Sequence, residues 1–111
     1  MTITVTTVEA GVVRLTIEGE LDVVTVTNLR AEVDKLVGLT PKRVEVDLHA
    51  LRMVDSSGVG TLVSLYKRVR GQGGEVVITG LRDQPLAIFR LLRLDRVMGA
   101  DSQPTTTSKG G

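Results

Sequence analysis

The sequence predicts an α/β domain, a mixed and mainly parallel sheet of four to five strands with helices packed against it. Three observations lead there. Two early segments alternate apolar and polar residues, and segments of strand and helix character then alternate along the chain. The 111-residue length fits one domain, which should bury roughly two thirds of its unfolded surface.

The elements follow in order. Ile3 to Val8 alternates Ile or Val with Thr, the pattern of a half-buried strand. After a turn at Glu9-Ala10-Gly11, Val12 to Glu18 places Val13, Leu15 and Ile17 on one face, completing an antiparallel hairpin. Thr25 is placed to cap a helix with Val26, Leu29, Val33 and Leu36 or Val37 at helical spacing. Gly38 stands where its C-terminal cap belongs, and Pro41 lies just beyond. Val44, Val46 and Leu48 alternate as a strand. From about Ser57 to Arg70, Val59, Leu62, Val63, Tyr66 and Val69 form a helical stripe, which Gly71-Gln72-Gly73-Gly74 ends. Glu75 to Thr79 carries the apolar run of an inner strand. Asp83 precedes a helix with Pro85 in its first turn, where a missing N–H costs little. Arg96 to Gly99 is expected to add a brief last strand. Residues 1–100 then form the domain, and 101–111, ending Thr105-Thr106-Thr107-Ser108-Lys109-Gly110-Gly111, read as a disordered tail. Alternation of strand and helix implies right-handed crossovers and a parallel sheet with one antiparallel edge.

Composition removes several classes of function. Lys and Arg total 14 against 13 Asp and Glu, a net charge of +1, so no broad field attracts nucleic acid or anionic membrane. Aromatic residues are 2% of the chain, Tyr66 and Phe89, too few for a base-stacking platform. With no Cys, disulfides and thiolate chemistry are excluded, and His49 is the only imidazole. No metal site and no cofactor are expected. Met1-Thr2-Ile3-Thr4-Val5-Thr6 lacks the basic and apolar regions of a signal peptide, no run is long enough to enter a bilayer, and a cytoplasmic location is expected.

The most informative segment is Met53-Val54-Asp55-Ser56-Ser57-Gly58-Val59-Gly60. It joins a strand to a helix, and a helix N-terminus favours hydroxyl or phosphate groups through its free N–H groups and partial positive charge. Ser56 or Ser57 could serve there simply as an N-cap. Two glycines in the first turn weaken a helix that needs only a cap, yet they admit a close neighbour. Gly19-Glu20-Leu21-Asp22 also follows a strand, so its loop should share the sheet edge at which ligands and partners gather. Asp22 can equally be a turn residue. On the helix after the motif, Gly60, Thr61, Ser64 and Lys67 or Arg68 are expected to face outward. Arg90, Arg93 and Arg96, three apart, read as a solvated face.

Gly19-Glu20-Leu21-Asp22, Val46-Asp47-Leu48, the Asp55-Ser56-Ser57-Gly58-Val59-Gly60 block and Gly73-Gly74 together resemble the STAS-domain anti-sigma factor antagonists of bacteria, in order from about Thr2 to Met98. The resemblance implies a STAS-like fold and a non-enzymatic regulator of transcription in the stress response. Such a domain binds an anti-sigma factor with GHKL-type serine kinase activity and so releases a sigma factor. It implies phosphorylation at Ser56, for which Ser57 is the neighbouring alternative, and reversal by a PP2C-type phosphatase; with the outward helix positions added, the expected docking face is Asp22, Asp55, Ser56, Ser57, Gly58, Gly60, Thr61 and Ser64. Family members often carry a further C-terminal helix, which the polar tail replaces here. The oligomeric state is left open.

Rival functions are weaker. A serine hydrolase wants Gly two positions before its nucleophile, but Val54 stands there, and His49 is the only base on offer. Gly58-Val59-Gly60 lacks the further glycines and lysine of a phosphate-binding loop. A stand-alone STAS subunit of a lipid-transporting ABC complex is the remaining alternative, and such a scaffold has no need of Ser56.

Overall fold

A computed structural model describes residues 1–98. The elements are β1 (Thr2–Glu9), β2 (Val12–Leu21), α1 (Val26–Gly38), β3 (Arg43–Asp47), β4 (Leu51–Val54), α2 (Ser56–Gly71), β5 (Glu75–Thr79), α3 (Asp83–Leu91) and α4 (Leu94–Val97). The sheet runs β1-β2-β3-β5, with β4 also paired to β2. Only the β1–β2 pair is antiparallel; β2–β3, β2–β4 and β3–β5 are parallel.

Register explains the layering. Leu15 pairs with Val46 and Val46 with Ile78, and one step along Val13, Val44 and Val76 line up across the same strands. These residues are buried on a single face, because side chains alternate across a strand. Val26, Leu29, Val33 and Leu36 of α1 and Val59, Leu62, Leu65 and Val69 of α2 close over that face. The other face carries Thr16, Arg14, Glu45 and Asp47, with Arg14 Nη2 3.0 Å from Glu45 Oε1.

Strand β2 is shared by two successive partners. Val12 to Thr16 pair with β3, and Gly19 to Leu21 pair with β4. The handover occurs at Gly19, whose φ of +98° belongs to glycine and where the register shifts. Its N–H donates to the Ala50 carbonyl at 2.9 Å, and the Asp55 N–H to the Leu21 carbonyl at 3.0 Å. The Asp22 and Asp55 loops therefore leave the sheet side by side, as expected of loops that follow parallel strands.

Several expectations change. Arg96 and Val97 lie in the short helix α4, not in a strand, and Gly99 falls outside the described residues, as does the segment 101–111. Strand β5 pairs only with β3 among the described residues, so it is an edge and not an inner strand. Strand β4 stands where a plain loop was expected. Thr25 precedes α1 but caps no helical N–H; its hydroxyl donates to the Glu20 carbonyl at 3.0 Å. Gly38 is the last helical residue, and Thr40, at φ +45°, takes the left-handed position beyond it.

Candidate functional site

The site is built where β4 runs into α2. Asp55, in extended backbone, is the N-cap, and its Oδ1 accepts from the Ser57 N–H at 3.0 Å and the Gly58 N–H at 3.1 Å. Neither serine is the cap. Ser56 and Ser57 are the first two helical residues. Ser57 donates its hydroxyl to Asp55 Oδ1 at 2.6 Å and is half-buried. Ser56 is exposed, and its hydroxyl has no hydrogen bond within the described residues.

Asp55 also joins the two loops. Its Oδ2 accepts from the Val23 N–H at 3.1 Å. Asp22 is occupied by its own turn, Oδ1 accepting from the Val24 and Thr25 N–H groups at 3.0 Å each. The backbone leaving β2 is thus held by two carboxylates, and Val23 and Val24, 70% and 79% exposed, lie on the loop that Asp55 ties to the serine turn.

Both carboxyls sit below the usual range. The Ser57 hydroxyl holds Asp55 down first, followed by the Gly58 N–H, against the opposing effect of burial. For Asp22 the Thr25 N–H leads, and the nearby Asp55 carboxylate pushes the other way. A carboxyl whose folded pKa lies below its unfolded value stabilises the fold above that value. The contribution disappears as pH falls from 3.8 through the depressed folded value. Thermal melts between pH 7 and 2 are expected to lose stability in that acid range, more steeply for the parent than for Asp55→Asn, which keeps a capping oxygen without the charge.

Gly58 sets the depth of the helix. A Cβ there would stand 2.7 Å from Leu21 Cγ and 2.8 Å from Val54 Cγ2, so α2 starts with its backbone against β2 and β4. Gly60 is exposed, with nothing within 4 Å of a Cβ. Ser64 is half-buried. Thr61 departs from expectation, being 5% exposed and donating its hydroxyl to the Ser57 carbonyl at 3.0 Å. It lines a groove between α1 and α2 with Arg30, Asp34 and Arg68 and is not part of an outer face. Leu65, absent from the expected stripe, is buried, while Val63 and Tyr66 are only partly so.

Gln84 supports the site from α3 and carries no signal in the sequence. Its Oε1 accepts from the Val54 N–H at 2.9 Å and its Nε2 donates to the Val54 carbonyl at 3.0 Å, so an amide stands in for a missing strand neighbour next to Asp55. Gln84→Ala is expected to cost about 1–3 kcal/mol in urea denaturation, because both backbone groups lose their partner. Gln84→Glu should recover only part of it, since a carboxylate accepts but cannot donate. His49 is spoken for as well: its Nδ1 lies 2.7 Å from Asp47 Oδ1.

Among the described residues no helix is long and apolar enough to cross a membrane. The chain is 28% identical over 101 residues to the anti-sigma-B factor antagonist of Bacillus subtilis, covering 89% of this chain and 86% of that protein. Its fold matches an anti-sigma factor antagonist from Mycobacterium paratuberculosis with a TM-score of 0.79 at 24% identity, over 87% of this chain and 81% of that one. The phosphorylated form of the Bacillus cell fate determinant SpoIIAA matches at 0.72 and 20% identity, over 86% of each chain. These relatives bear the names of regulators, not of enzymes. The family model of the STAS domain matches residues 4–109, and the chain belongs to the STAS domain family.

Proposed function

We propose that the chain is an anti-sigma factor antagonist, docking through the face around Ser56 to an anti-sigma factor serine kinase and so releasing a sigma factor. Phosphorylation of Ser56 by that GHKL-type kinase switches it off, and a PP2C-type phosphatase restores it. The observation that carries this reading is the contrast between the serines. Ser57 is bound to Asp55 at 2.6 Å, whereas Ser56 stands exposed on the first turn of α2.

The surroundings support a switch of docking with the fold kept. Phosphate adds about −1.5 to −2 charge. It would be tolerated at a helix N-terminus, yet it would stand beside Asp55 and Asp22 and turn a neutral hydroxyl into the centre of an acidic patch. Exposed Val23 and Val24 supply apolar contact next to it. The partner-binding residues are then exposed Ser56 and Gly60 and half-buried Ser64, with Asp22, Asp55, Ser57 and Gly58 shaping the turn beneath them.

Capture from its own cells with a tagged full chain tests the reading. A GHKL-type kinase should dominate with the parent and be lost with Ser56→Glu. An ABC transporter ATPase captured equally by both would overturn it.

A further inference from the structure

The outer edge of β1 is not paired to any strand among the described residues. Edge strands in natural sheets are blunted by charge, proline, shortness or a bulge, because unpaired N–H and C=O groups recruit another strand. Strand β1 has few of these devices. It is eight residues long, with no proline and no charge before Glu9. Its register against β2 is regular from Thr2 to Thr7 and shifts only between Thr7 and Glu9. The helix layer also leaves it bare: Val5, on the helix side opposite Leu15, is 40% exposed, and an open groove of about 280 Å³ separates Met1 and Ile3 from Asn28, Ala31 and Glu32 of α1.

We propose that this edge pairs with the β1 edge of a second copy of the chain, antiparallel about a two-fold axis through Val5. The sequence is complementary to itself in that register. Val5 meets the partner's Val5, Ile3 the partner's Thr7, and Thr4 the partner's Thr6. Opposite residues of an antiparallel pair point to the same face, so Ile3, Val5 and Thr7 of both copies stay on the helix side and the open groove gains a wall. Thr–Thr and apolar pairs across such a ladder are favourable, and no like charges meet between Thr2 and Val8. Pairing β1 with its own copy sets exposed Val5 against Val5, so the apolar side chain at the middle of the edge is covered in both chains at once. The strip is about 27 Å long at ~3.4 Å per residue and roughly 10 Å across the sheet, on the order of 300 Å², well under the ~800 Å² per partner of a standard interface. The dimer therefore forms by mass action at high concentration and is independent of the switch at Ser56.

Sedimentation equilibrium of the full chain from micromolar to millimolar concentration tests it. The parent should shift from one chain mass toward two as concentration rises. Val5→Lys and Val5→Glu, each substituted at a half-exposed site and checked for an unchanged melting curve, should each remain at one chain mass. An equimolar mixture of the two should return to two, since only a register with Val5 opposite Val5 sets Lys against Glu. A parent that stays single throughout, single variants that dimerise like the parent, or a mixture that stays single would each overturn the proposal. If β1 amides become protected only when a different protein is added, the edge belongs to that partner's strand and the two-fold dimer is wrong.

Discussion

Ser56→Glu is expected to weaken binding to the anti-sigma factor kinase by about 100-fold or more, while the melting temperature stays within a few degrees of the parent. The size follows from placing an uncompensated charge at the centre of a docked face where the parent has a neutral hydroxyl, which costs several kcal/mol where ~1.4 kcal/mol is tenfold. The preserved fold follows from position. Ser56 is the first residue of α2 and exposed, and an acidic side chain there meets the positive end of the helix, a gain of about 0.3–1 kcal/mol that offsets repulsion from Asp55. Ser56→Ala, which removes the hydroxyl and adds no charge, should bind like the parent. Calorimetric titration separates the three proteins. Binding by Ser56→Glu at parental strength would mean that the serine turn lies outside the interface.

The second large effect is a difference of sign between two glycines of one helical turn. At Gly58 a methyl group would press on Leu21 Cγ at 2.7 Å and on Val54 Cγ2 at 2.8 Å, both on buried side chains that cannot swing away. Overpacking of this kind costs about 1–3 kcal/mol, more than the ~1 kcal/mol that alanine gains over glycine in a helix. Gly58→Ala should therefore destabilise the domain and lift the start of α2 off the sheet. At Gly60 nothing lies within 4 Å, so Gly60→Ala should stabilise by about 0.5–1 kcal/mol. Urea denaturation of both variants checks the pair. Equal shifts would show that α2 is not seated on β2 and β4 through Gly58.

Much of the fold was legible because its periodicities are strong. The α1 positions Val26, Leu29, Val33 and Leu36 are all buried, and the β1–β2 hairpin forms from the alternation that predicts it. What escaped had physical reasons. Leu51–Val54 buries only its two ends, so no alternation marks β4, and its existence depends on pairing with β2 across a register shift. The run Val76-Val77-Ile78 looks like a strand buried on both faces, yet Val77 is only half-buried, on a strand with one neighbour among the described residues.

The site was legible in part, for the same kind of reason. The loop of Asp22 and the loop of Asp55 meet as the topology of parallel strands requires. Which residue caps α2 was not legible, because Asp55, Ser56 and Ser57 are all good caps and only the start of the helix decides among them. Thr61 reads as polar and outward, but a threonine can be buried when its hydroxyl bonds the carbonyl four residues back, as it does to Ser57. Gln84 is 30 residues from Val54, and a side-chain clamp on a distant backbone leaves no local pattern.

In the proposed switch one exposed hydroxyl, that of Ser56, takes the phosphate. Phosphosite mapping by mass spectrometry, after incubation of the full chain with its anti-sigma factor kinase and ATP, tests it most directly. A single phosphate on Ser56 is expected, absent from Ser56→Ala and unaffected by Ser57→Ala beyond the rate. Phosphate on Ser57, or no phosphate on either serine, would contradict it.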